Sequence, residues 1–449
     1  MGKYGKGLSL LKLHYRSKCN GHVSHKLVAN FNLSGLIEKY IRSIFEDRSI
    51  TSVLSEQLWK YYFDKFSKGI DEGYSPNLEY YDEDLANSLK ANIAEFSAFK
   101  ETSFRREVEK LLTKDGKLQS WSDFKKDAYA VSGDYNGRWL EAEYHQTVAT
   151  ANMAAKWEDF QRNKDLYPNL KYVTVGDGRV RPEHQAWEGV IRPIDDPWWS
   201  THYPPNDWGC RCDVEQTDED PTEGEPKMDP IKEAFRNNAA QSGKIFQSEA
   251  YSVDLSNIEK DNVSIDSLVM LARNSKSKLH AFAKKLIYDL PLNKQFRLLK
   301  EFNNGGKVTQ HILVNPGAED YQDVLNAAMQ FAKDGKDVQM LPEIHISDTG
   351  ARSKLLKNLK SETSNPDLKV GKKYMDVKRP NAIKNITGNA NKASSQGAVA
   401  VISDAKLKGK LSHEILQKRA EAILSEQNKS FYDFQEVFFY VDGKIYRFP

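Results

Sequence analysis

The stretch NPDLKVGKKYMDVKRP, residues 365–380, has the pattern of a β-hairpin that brings acidic and basic side chains together. Its two strand-like runs are separated by V-G-K-K, in which Gly371 allows a tight reversal of the chain. Asp367 is expected at the start of one strand, with Asp376 and Lys378 on the next. Residues that are two apart on a strand share a face, because successive side chains point to opposite faces. The hairpin therefore predicts a cluster of two carboxylates and one ammonium group.

Such a cluster is typical of a site for divalent cations. Two neighbouring carboxylates repel each other, and a cation bound between them relieves the repulsion. We expect Asp367 and Asp376 to bind Mg²⁺ or Mn²⁺, and Lys378 to position the attacking water and stabilise charge on a phosphate. This chemistry suits the hydrolysis of a phosphodiester. The alternative is an ordinary surface hairpin in which Asp376 forms a salt bridge with a lysine.

The sequence around the hairpin is strongly basic. Residues 351–420 contain 16 lysines and arginines against 5 aspartates and glutamates, which gives a local net charge of +11. A basic surface of this kind supplies the electrostatic part of nucleic-acid binding. Glu343, at the end of the preceding strand-like segment, is a candidate additional catalytic carboxylate. The candidate phosphate contacts are two lysines of the hairpin turn and two residues one turn apart on the following helix: Lys372, Lys373, Lys392 and Gln396.

The last third of the chain alternates between strand and helix patterns. KVTQHILVN, KDVQMLPEIHI and GAVAVISD are strand-like, while YQDVLNAAMQFAKDG and SHEILQKRAEAILSEQN repeat apolar residues at helical spacing. FQEVFFYVDGKIYRFP predicts a second hairpin with its turn at Asp442-Gly443. We therefore expect residues 305–449 to form a small α/β domain with a mixed sheet.

These residues resemble a known class of nucleases. Pro366-Asp367 and the triplet DVK that begins at Asp376 match the PD-(D/E)xK nuclease motif. With AKDGKDVQMLPE before the hairpin and NKASSQGAVAVIS after it, residues 305–449 resemble the tRNase domain of contact-dependent growth-inhibition toxins. The resemblance implies an endonuclease that cleaves RNA, with tRNA as the favoured substrate. The hairpin itself does not distinguish RNA from DNA.

The first part of the chain has helical patterns, and its composition then changes. LSGLIEKYIRSIFEDRS, SVLSEQLWKYYFDKFSKGI, FRREVEKLLTKDG and GRWLEAEYHQTVATANMAAKWEDFQRN repeat apolar residues at intervals of three and four. Residues 1–165 are therefore expected to be a helical region. Residues 166–215 are crowded with Gly, Pro and Trp, which interrupt long regular elements. Residues 216–304 are predicted to be an acidic linker followed by a helical connector.

The Trp- and Pro-rich segment contains a histidine and two closely spaced cysteines. His184 precedes Cys210 and Cys212, which are too close together to be comfortably bridged to each other. Two interpretations stay open. One is a structural tie of buried thiols, tryptophan packing and arginine hydrogen bonds; the other is a zinc site with His202 as a fourth ligand. Structural zinc sites usually space their cysteines more widely, so the C-x-C spacing favours the tie.

The same segment resembles the head morphogenesis family of tailed phages, the phage Mu protein F-like minor head proteins. The resemblance rests on DGRVRPEHQAWEG, YPPNDWGCRCDV and the preceding helix EAEYHQTVATANMAAKW, and it covers roughly residues 40–215. Many relatives carry extra cysteines after the D-x-R element, where this chain has Arg181 and Glu183. The resemblance implies a capsid-associated protein near the portal, with portal and capsid proteins as partners and the virion as its location.

Composition limits the remaining function classes. The chain has no run of 18 apolar residues, so we expect no membrane span and no membrane partner. The basic N-terminus lacks the apolar core and cleavage site of a secretory signal. Three cysteines cannot make a disulfide framework, which suits synthesis in a reducing bacterial cytoplasm.

These patterns predict a multidomain protein with a mainly α head-morphogenesis domain and a small α/β nuclease-like domain. The expected function is that of a phage minor head protein that carries a metal-dependent nuclease. The alternative is a purely structural virion protein whose basic C-terminal domain binds nucleic acid without catalysis. The two acids of the hairpin favour the nuclease, because simple binding would gain from lysines in their place.

Overall fold

The chain divides into two compact units, Met1–Asn274 and Ser275–Pro449. The first is mainly helical, and the second contains an eight-stranded mixed sheet, which confirms the predicted helical and α/β halves. The interpretation of the N-terminal tail falls on residues 1–30, outside the described residues. A computed structural model describes six segments: residues 31–48, 54–226, 231–247, 251, 255–408 and 411–449.

Helices make up most of the first unit, and side-chain caps begin several of them. The Asp82 carboxylate, for example, accepts hydrogen bonds from the N–H groups of Asp84 and Leu85. The helix that ends at Gly73 packs closely against the helix that contains Val148. A Cβ at position 73 would lie only 2.3 Å from the Val148 carbonyl oxygen, so this close approach requires glycine. The helices are α1 (Phe31–Asp47), α2 (Glu56–Gly73), α3 (Glu83–Lys110), α4 (Trp121–Gly133), α5 (Trp139–Arg162), α6 (Pro182–Gln185), α7 (Trp199–His202), α8 (Ala239–Ser242) and α9 (Asn257–Asn274).

The Trp- and Pro-rich segment folds around a three-stranded antiparallel sheet. After the small hairpin of β1 (Thr113–Lys114) and β2 (Lys117–Leu118), the sheet has the order β4-β3-β5. Its strands are β3 (Asn169–Val173), β4 (Ile191–Pro193) and β5 (Asp213–Thr217). Aromatic side chains of this segment pack against the end of α5 and replace long regular elements as the source of stability. The members of this core include Trp157, Phe160, Tyr172, Trp187, Trp198, Trp199 and Tyr203.

In the second unit, eight strands follow one another across one sheet in chain order. The pairs β7/β8, β10/β11 and β11/β12 are parallel and the other pairs are antiparallel, so the sheet is mixed as expected. The strands are β6 (Phe296–Glu301), β7 (Lys307–His311), β8 (Asp337–Met340), β9 (Leu368–Val370), β10 (Lys373–Lys378), β11 (Val399–Ser403), β12 (Val437–Val441) and β13 (Lys444–Phe448). The helices are α10 (Ser277–Asp289), α11 (Leu292–Gln295), α12 (Tyr321–Lys333), α13 (Thr349–Leu355), α14 (Ile386–Ser395), α15 (His413–Ile423) and α16 (Glu426–Lys429).

Helices cover both faces of the larger sheet. Helix α12 packs on the face that carries Met375 and Val377 of β10. Helices α14 and α15 pack on the opposite face, against Ala400 and Ile402 of β11. In the parallel register Asp376 is opposite Ala400, so its side chain belongs to this second face. The fold thus buries a carboxylate beneath α14.

Strand β6 lies within residues 216–304, the segment predicted to be a linker and helical connector. It pairs with β7 at the edge of the sheet, and five of its six residues are exposed. An edge strand of this kind lacks the apolar alternation by which strands are recognised in a sequence. No helix of the described segments is both long and apolar enough to span a membrane.

Candidate functional site

The acidic pair lies where β9 begins beside β10. Leu368 is opposite Met375 in the antiparallel register, which places Asp367 beside Asp376. The two carboxyl groups are hydrogen-bonded to each other. An oxygen of Asp367, Oδ2, also accepts a hydrogen bond of 2.7 Å from the Val377 N–H. The hairpin therefore brings together the two acids that the sequence pairs.

Lys378 completes the cluster. Its Nζ lies 2.6 Å from Asp376 Oδ2 and 3.1 Å from the Oε1 of Gln396, to which it donates a hydrogen bond. Gln396 directly follows α14, so the end of this helix holds the ammonium group over the strand. Asp376 is 5% exposed, whereas Lys378 reaches towards solvent. Two residues of β10, the residue just before β9 and one helix-end residue thus converge.

Burial and repulsion act on the acidic pair. Burial is the largest effect and the charge of Asp376 the next largest, and both raise the pKa of Asp367 well above its usual range. The Val377 N–H and Lys378 oppose this rise. Without a bound cation Asp367 therefore favours its protonated form at neutral pH. A divalent cation can replace that proton, because its preferred ligands are carboxylate oxygens. The donor set fits Mg²⁺ or Mn²⁺, with Asp367 and Asp376 as the residues that would hold it.

Three other candidate residues are exposed around the hairpin. Glu343 lies shortly after the end of β8. The chain between them is hydrogen-bonded to the acidic pair's backbone, because the Leu341 N–H donates to the Asp367 carbonyl at 2.9 Å. Lys392 lies on α14 one turn before Gln396, and Lys372 lies on the hairpin turn. Their catalytic and phosphate-binding roles stay predictions.

Lys373 is not brought to the acidic pair. It is the first residue of β10, three positions before Asp376, and an odd offset along a strand places it on the opposite face. Its ammonium group forms a salt bridge with Glu436, a buried residue that also accepts a 2.7 Å hydrogen bond from Arg447. Lys373 therefore ties β10 to the segment that leads into β12.

Two residues that sequence reasoning did not assign position the strand of Asp367. The Asn365 Oδ1 accepts hydrogen bonds of 3.1 Å from the Ile344 N–H and from Arg352. Arg352, on α13, also donates to the Ser364 carbonyl at 2.6 Å. Together they fix the segment that enters β9. The Asn-Pro pair at 365–366 is a signal for a specific loop conformation, but the sequence did not identify its arginine partner.

In the first unit, His184 and the two cysteines of the C-x-C segment form a second cluster. The sulfur atoms of Cys210 and Cys212 each lie 3.6 Å from Nδ1 of His184. Hydrogen bonding to Cys212 and contact with His184 lower the pKa of Cys210, whereas the same pairing raises the pKa of Cys212. His202 does not join them, because its ring stacks on Trp198 with the ring centroids 4.6 Å apart.

The D-x-R element clamps this cluster from outside. The Asp177 carboxylate accepts two hydrogen bonds of 2.7 Å from the guanidinium of Arg211, which holds the pKa of Asp177 well below its usual range. Arg181, where many relatives are expected to carry a cysteine, forms a 3.1 Å ion pair with Asp207. Salt bridges thus connect the start of the segment to its end.

Known proteins match the region that contains this cluster. Residues 83–215 match the model of the family described as Phage Mu protein F like protein. Over 77 residues the chain is 44% identical to the "Putative capsid assembly protein F" of Escherichia phage Mu, which covers 17% of this chain and 18% of that protein. Over 70 residues it is 50% identical to the "Mu-like prophage FluMu F protein" of Haemophilus influenzae (strain ATCC 51907 / DSM 11121 / KW20 / Rd). This alignment covers 16% of this chain and 17% of that protein.

The matched segment spans less than a fifth of the length of either curated relative. No solved structure gives a significant match to the chain. The family match extends from the first residue of α3 into β5 and includes His184, both cysteines and the Asp177–Arg211 clamp. Residues 83–215 of this chain are therefore a Phage Mu protein F-like region.

Proposed function

We propose that the chain is a head-assembly protein of a tailed phage that carries a metal-dependent nuclease in its C-terminal unit. The observation that supports the first part is the match of residues 83–215 to the Phage Mu protein F-like family, one relative of which is named a capsid assembly protein. The proposed partners are portal and capsid proteins, and the proposed location is the virion.

The proposed nuclease activity rests on the convergence of Asp367, Asp376 and Lys378 on one face of the sheet. A divalent cation held by the two carboxylates would supply a Lewis acid for the scissile phosphate. Lys378, held by Gln396, would position the attacking water and counter the charge that builds up on the phosphate. Asp367 would release its proton when the cation binds.

RNA is the proposed substrate, with tRNA favoured by the resemblance to the toxin domains. The basic region 351–420 supplies favourable electrostatics for a polyanion. Exposed Lys372 and Lys392 lie before and after Asp376 of β10 in the chain and are the proposed phosphate contacts. A protein that binds nucleic acid without catalysis would use the same lysines but would not need the buried acids.

Isothermal titration calorimetry of the full-length chain with Mn²⁺ tests the proposed metal site. Wild type should bind one ion with an affinity that rises with pH, since binding displaces the proton of the acidic pair. Asp376→Asn should lose this binding. Asp337→Asn, which removes an exposed carboxylate of β8, is the matched control and should retain it. Equal binding by wild type and Asp376→Asn would contradict the proposed site.

Mass spectrometry of purified heads tests the proposed head-assembly role. Heads made by the phage that encodes this chain should contain it in a few copies, near the portal. Its absence from mature heads and from their assembly precursors would refute this part of the proposal.

A further inference from the structure

The Phage Mu protein F-like region brings three metal-binding side chains into one buried cluster. His184 Nδ1 and the sulfur atoms of Cys210 and Cys212 all lie within 4.8 Å of one another. The exposed fractions are 3% for His184, 5% for Cys210 and 8% for Cys212. Thiolate sulfur and imidazole nitrogen are the ligands that zinc prefers in proteins. We infer that these three residues form a structural zinc site.

The distances within the cluster match the geometry of a tetrahedral zinc site. Bonds of about 2.3 Å to sulfur and about 2.0–2.1 Å to nitrogen place two ligand atoms about 3.5–3.6 Å apart at the tetrahedral angle. Both sulfur–nitrogen distances are 3.6 Å. Both sulfur atoms therefore lie at the distance from the nitrogen that a shared zinc ion would impose.

Hydrogen bonds alone account less well for this arrangement. An imidazole nitrogen that accepts has a single lone pair in the ring plane, so it accepts one well-aligned hydrogen bond. Two sulfur atoms lie at the same 3.6 Å distance from the Nδ1 of His184. A zinc ion would satisfy the nitrogen and both sulfur atoms at once, because each donates a lone pair to the metal.

The local chain conformation explains why the two cysteines can act together despite their short spacing. Cys212 directly precedes β5, and Cys210 follows a turn closed by a 3.0 Å hydrogen bond from its N–H to the Asp207 carbonyl. The intervening Arg211 points away and pairs with Asp177 at 2.7 Å. The clamp fixes the orientation of the C-x-C segment from outside. Both sulfur atoms then face His184.

Surrounding groups orient the ligands in the manner typical of zinc sites. The His184 ring stacks on Trp187, with the two planes 19° apart. The Asn206 N–H donates a hydrogen bond to the Cys210 sulfur, and the Tyr172 hydroxyl, which donates to the Asn206 Oδ1 at 2.9 Å, lies beside Cys212. Hydrogen bonds to sulfur stabilise the thiolate form that binds metal.

Zinc in structural sites is almost always four-coordinate. Within the described part of the chain this group has three ligands, so its fourth position is open to water or to another ligand. An ion here would join His184, in the middle of the Trp- and Pro-rich segment, to the two cysteines at its end, and the segment has few regular elements to hold it. Binding would therefore contribute directly to the stability of the first unit.

The metal content of the full-length wild-type chain, purified without chelators, tests the inference. We expect about one zinc per chain, with two sulfur ligands at about 2.3 Å in the X-ray absorption spectrum of the zinc. Removal of the metal by a chelator should lower the Tm of the first unit, and added zinc should restore it. A folded chain with no bound zinc and no uptake of added zinc would overturn the inference. A zinc shell without sulfur would overturn it as well.

Cysteine variants locate the ion. Cys212→Ser should lose the zinc and the thiolate-to-metal absorption band that Co²⁺ gives in wild type. Cys19→Ser removes the remaining cysteine of the chain and is the matched control, which should retain both signals. A folded Cys212→Ser chain that keeps stoichiometric zinc would overturn the assignment. If that variant does not fold, the absorption spectrum of the wild-type zinc decides.

Discussion

At the scale of single residues, the Asp367 carboxyl group is under opposing influences. Burial and the neighbouring Asp376 favour its protonated form, while the Val377 N–H and Lys378 favour the ionised form. The first pair of effects is stronger, so the pKa of Asp367 is raised. An acid kept protonated at neutral pH stabilises the fold less as the pH rises, because the unfolded chain releases that proton more readily.

Asp367→Asn should therefore stabilise the metal-free second unit at neutral and alkaline pH. An asparagine can accept the Val377 N–H and donate to Asp376, as the protonated Asp367 does. Below the ordinary pKa of an aspartate both states are protonated and the advantage should vanish. Between that pKa and the raised pKa of Asp367, the stability advantage should grow by about 1.4 kcal/mol for each pH unit.

The measurement is urea unfolding of both proteins in the presence of a chelator, from pH 4 to pH 8. Asp337→Asn is again the control and should show no such trend, because its carboxylate is exposed. An Asp367→Asn advantage that does not change with pH would contradict the protonated form of Asp367.

At the scale of elements, a buried ion pair joins α3 to α5. Lys100 Nζ lies 2.9 Å from Glu143 Oε2, with side-chain exposures of 0% and 2%. The hydroxyl of Tyr251 contacts both charged groups. Burial raises the pKa of Glu143 to about 7, so the carboxylate depends on the lysine to remain ionised.

Lys100→Met should destabilise the first unit by about 3–5 kcal/mol, because it leaves a buried carboxylate without its partner. The double variant Lys100→Met, Glu143→Leu should recover most of this loss, since it removes both charges. Urea unfolding followed by tryptophan fluorescence reports the effect. A double variant less stable than Lys100→Met would show that the pair stabilises the helices by another route.

The hairpin offers a test of nucleic-acid binding that separates neighbouring lysines. Lys372→Ser should weaken RNA binding and reduce its dependence on salt, because an exposed turn lysine can contact phosphate. Lys373→Ser should leave the salt dependence unchanged, since Lys373 pairs with Glu436 on the other face of the sheet. Binding measured at several salt concentrations distinguishes them. An equal loss for both variants would contradict this division of roles.

The same residues show what the sequence could predict. The hairpin was predictable because glycine at a reversal and alternation on both sides are local signals. The convergence of Asp367 with Asp376 followed from strand register, which those signals also fix. The sequence predicts Lys373 on the turn, whereas it begins β10 and pairs with Glu436, 63 positions away, where no local pattern points. Partners of this kind, like Arg352 for Asn365, depend on tertiary packing.

At the scale of the whole molecule, the two units should unfold in separate transitions, because each has its own core. All eight tryptophans lie before residue 275, so tryptophan fluorescence reports the first unit alone. Circular dichroism reports both units. Lys100→Met should shift the transition seen by fluorescence, and Asp367→Asn should shift the other. A single transition that both variants shift equally would contradict the division.

The nuclease proposal joins this architecture to a function, and cleavage by the full-length chain tests it most directly. The chain should be incubated with tRNA and with duplex DNA, in Mg²⁺ or Mn²⁺ and in a chelator. We predict cleavage of RNA that requires the cation, is unchanged in Asp337→Asn and falls by about a thousandfold or more in Asp376→Asn and Lys378→Met. Binding without cleavage in either cation, or an Asp376→Asn chain as active as wild type, would contradict the account.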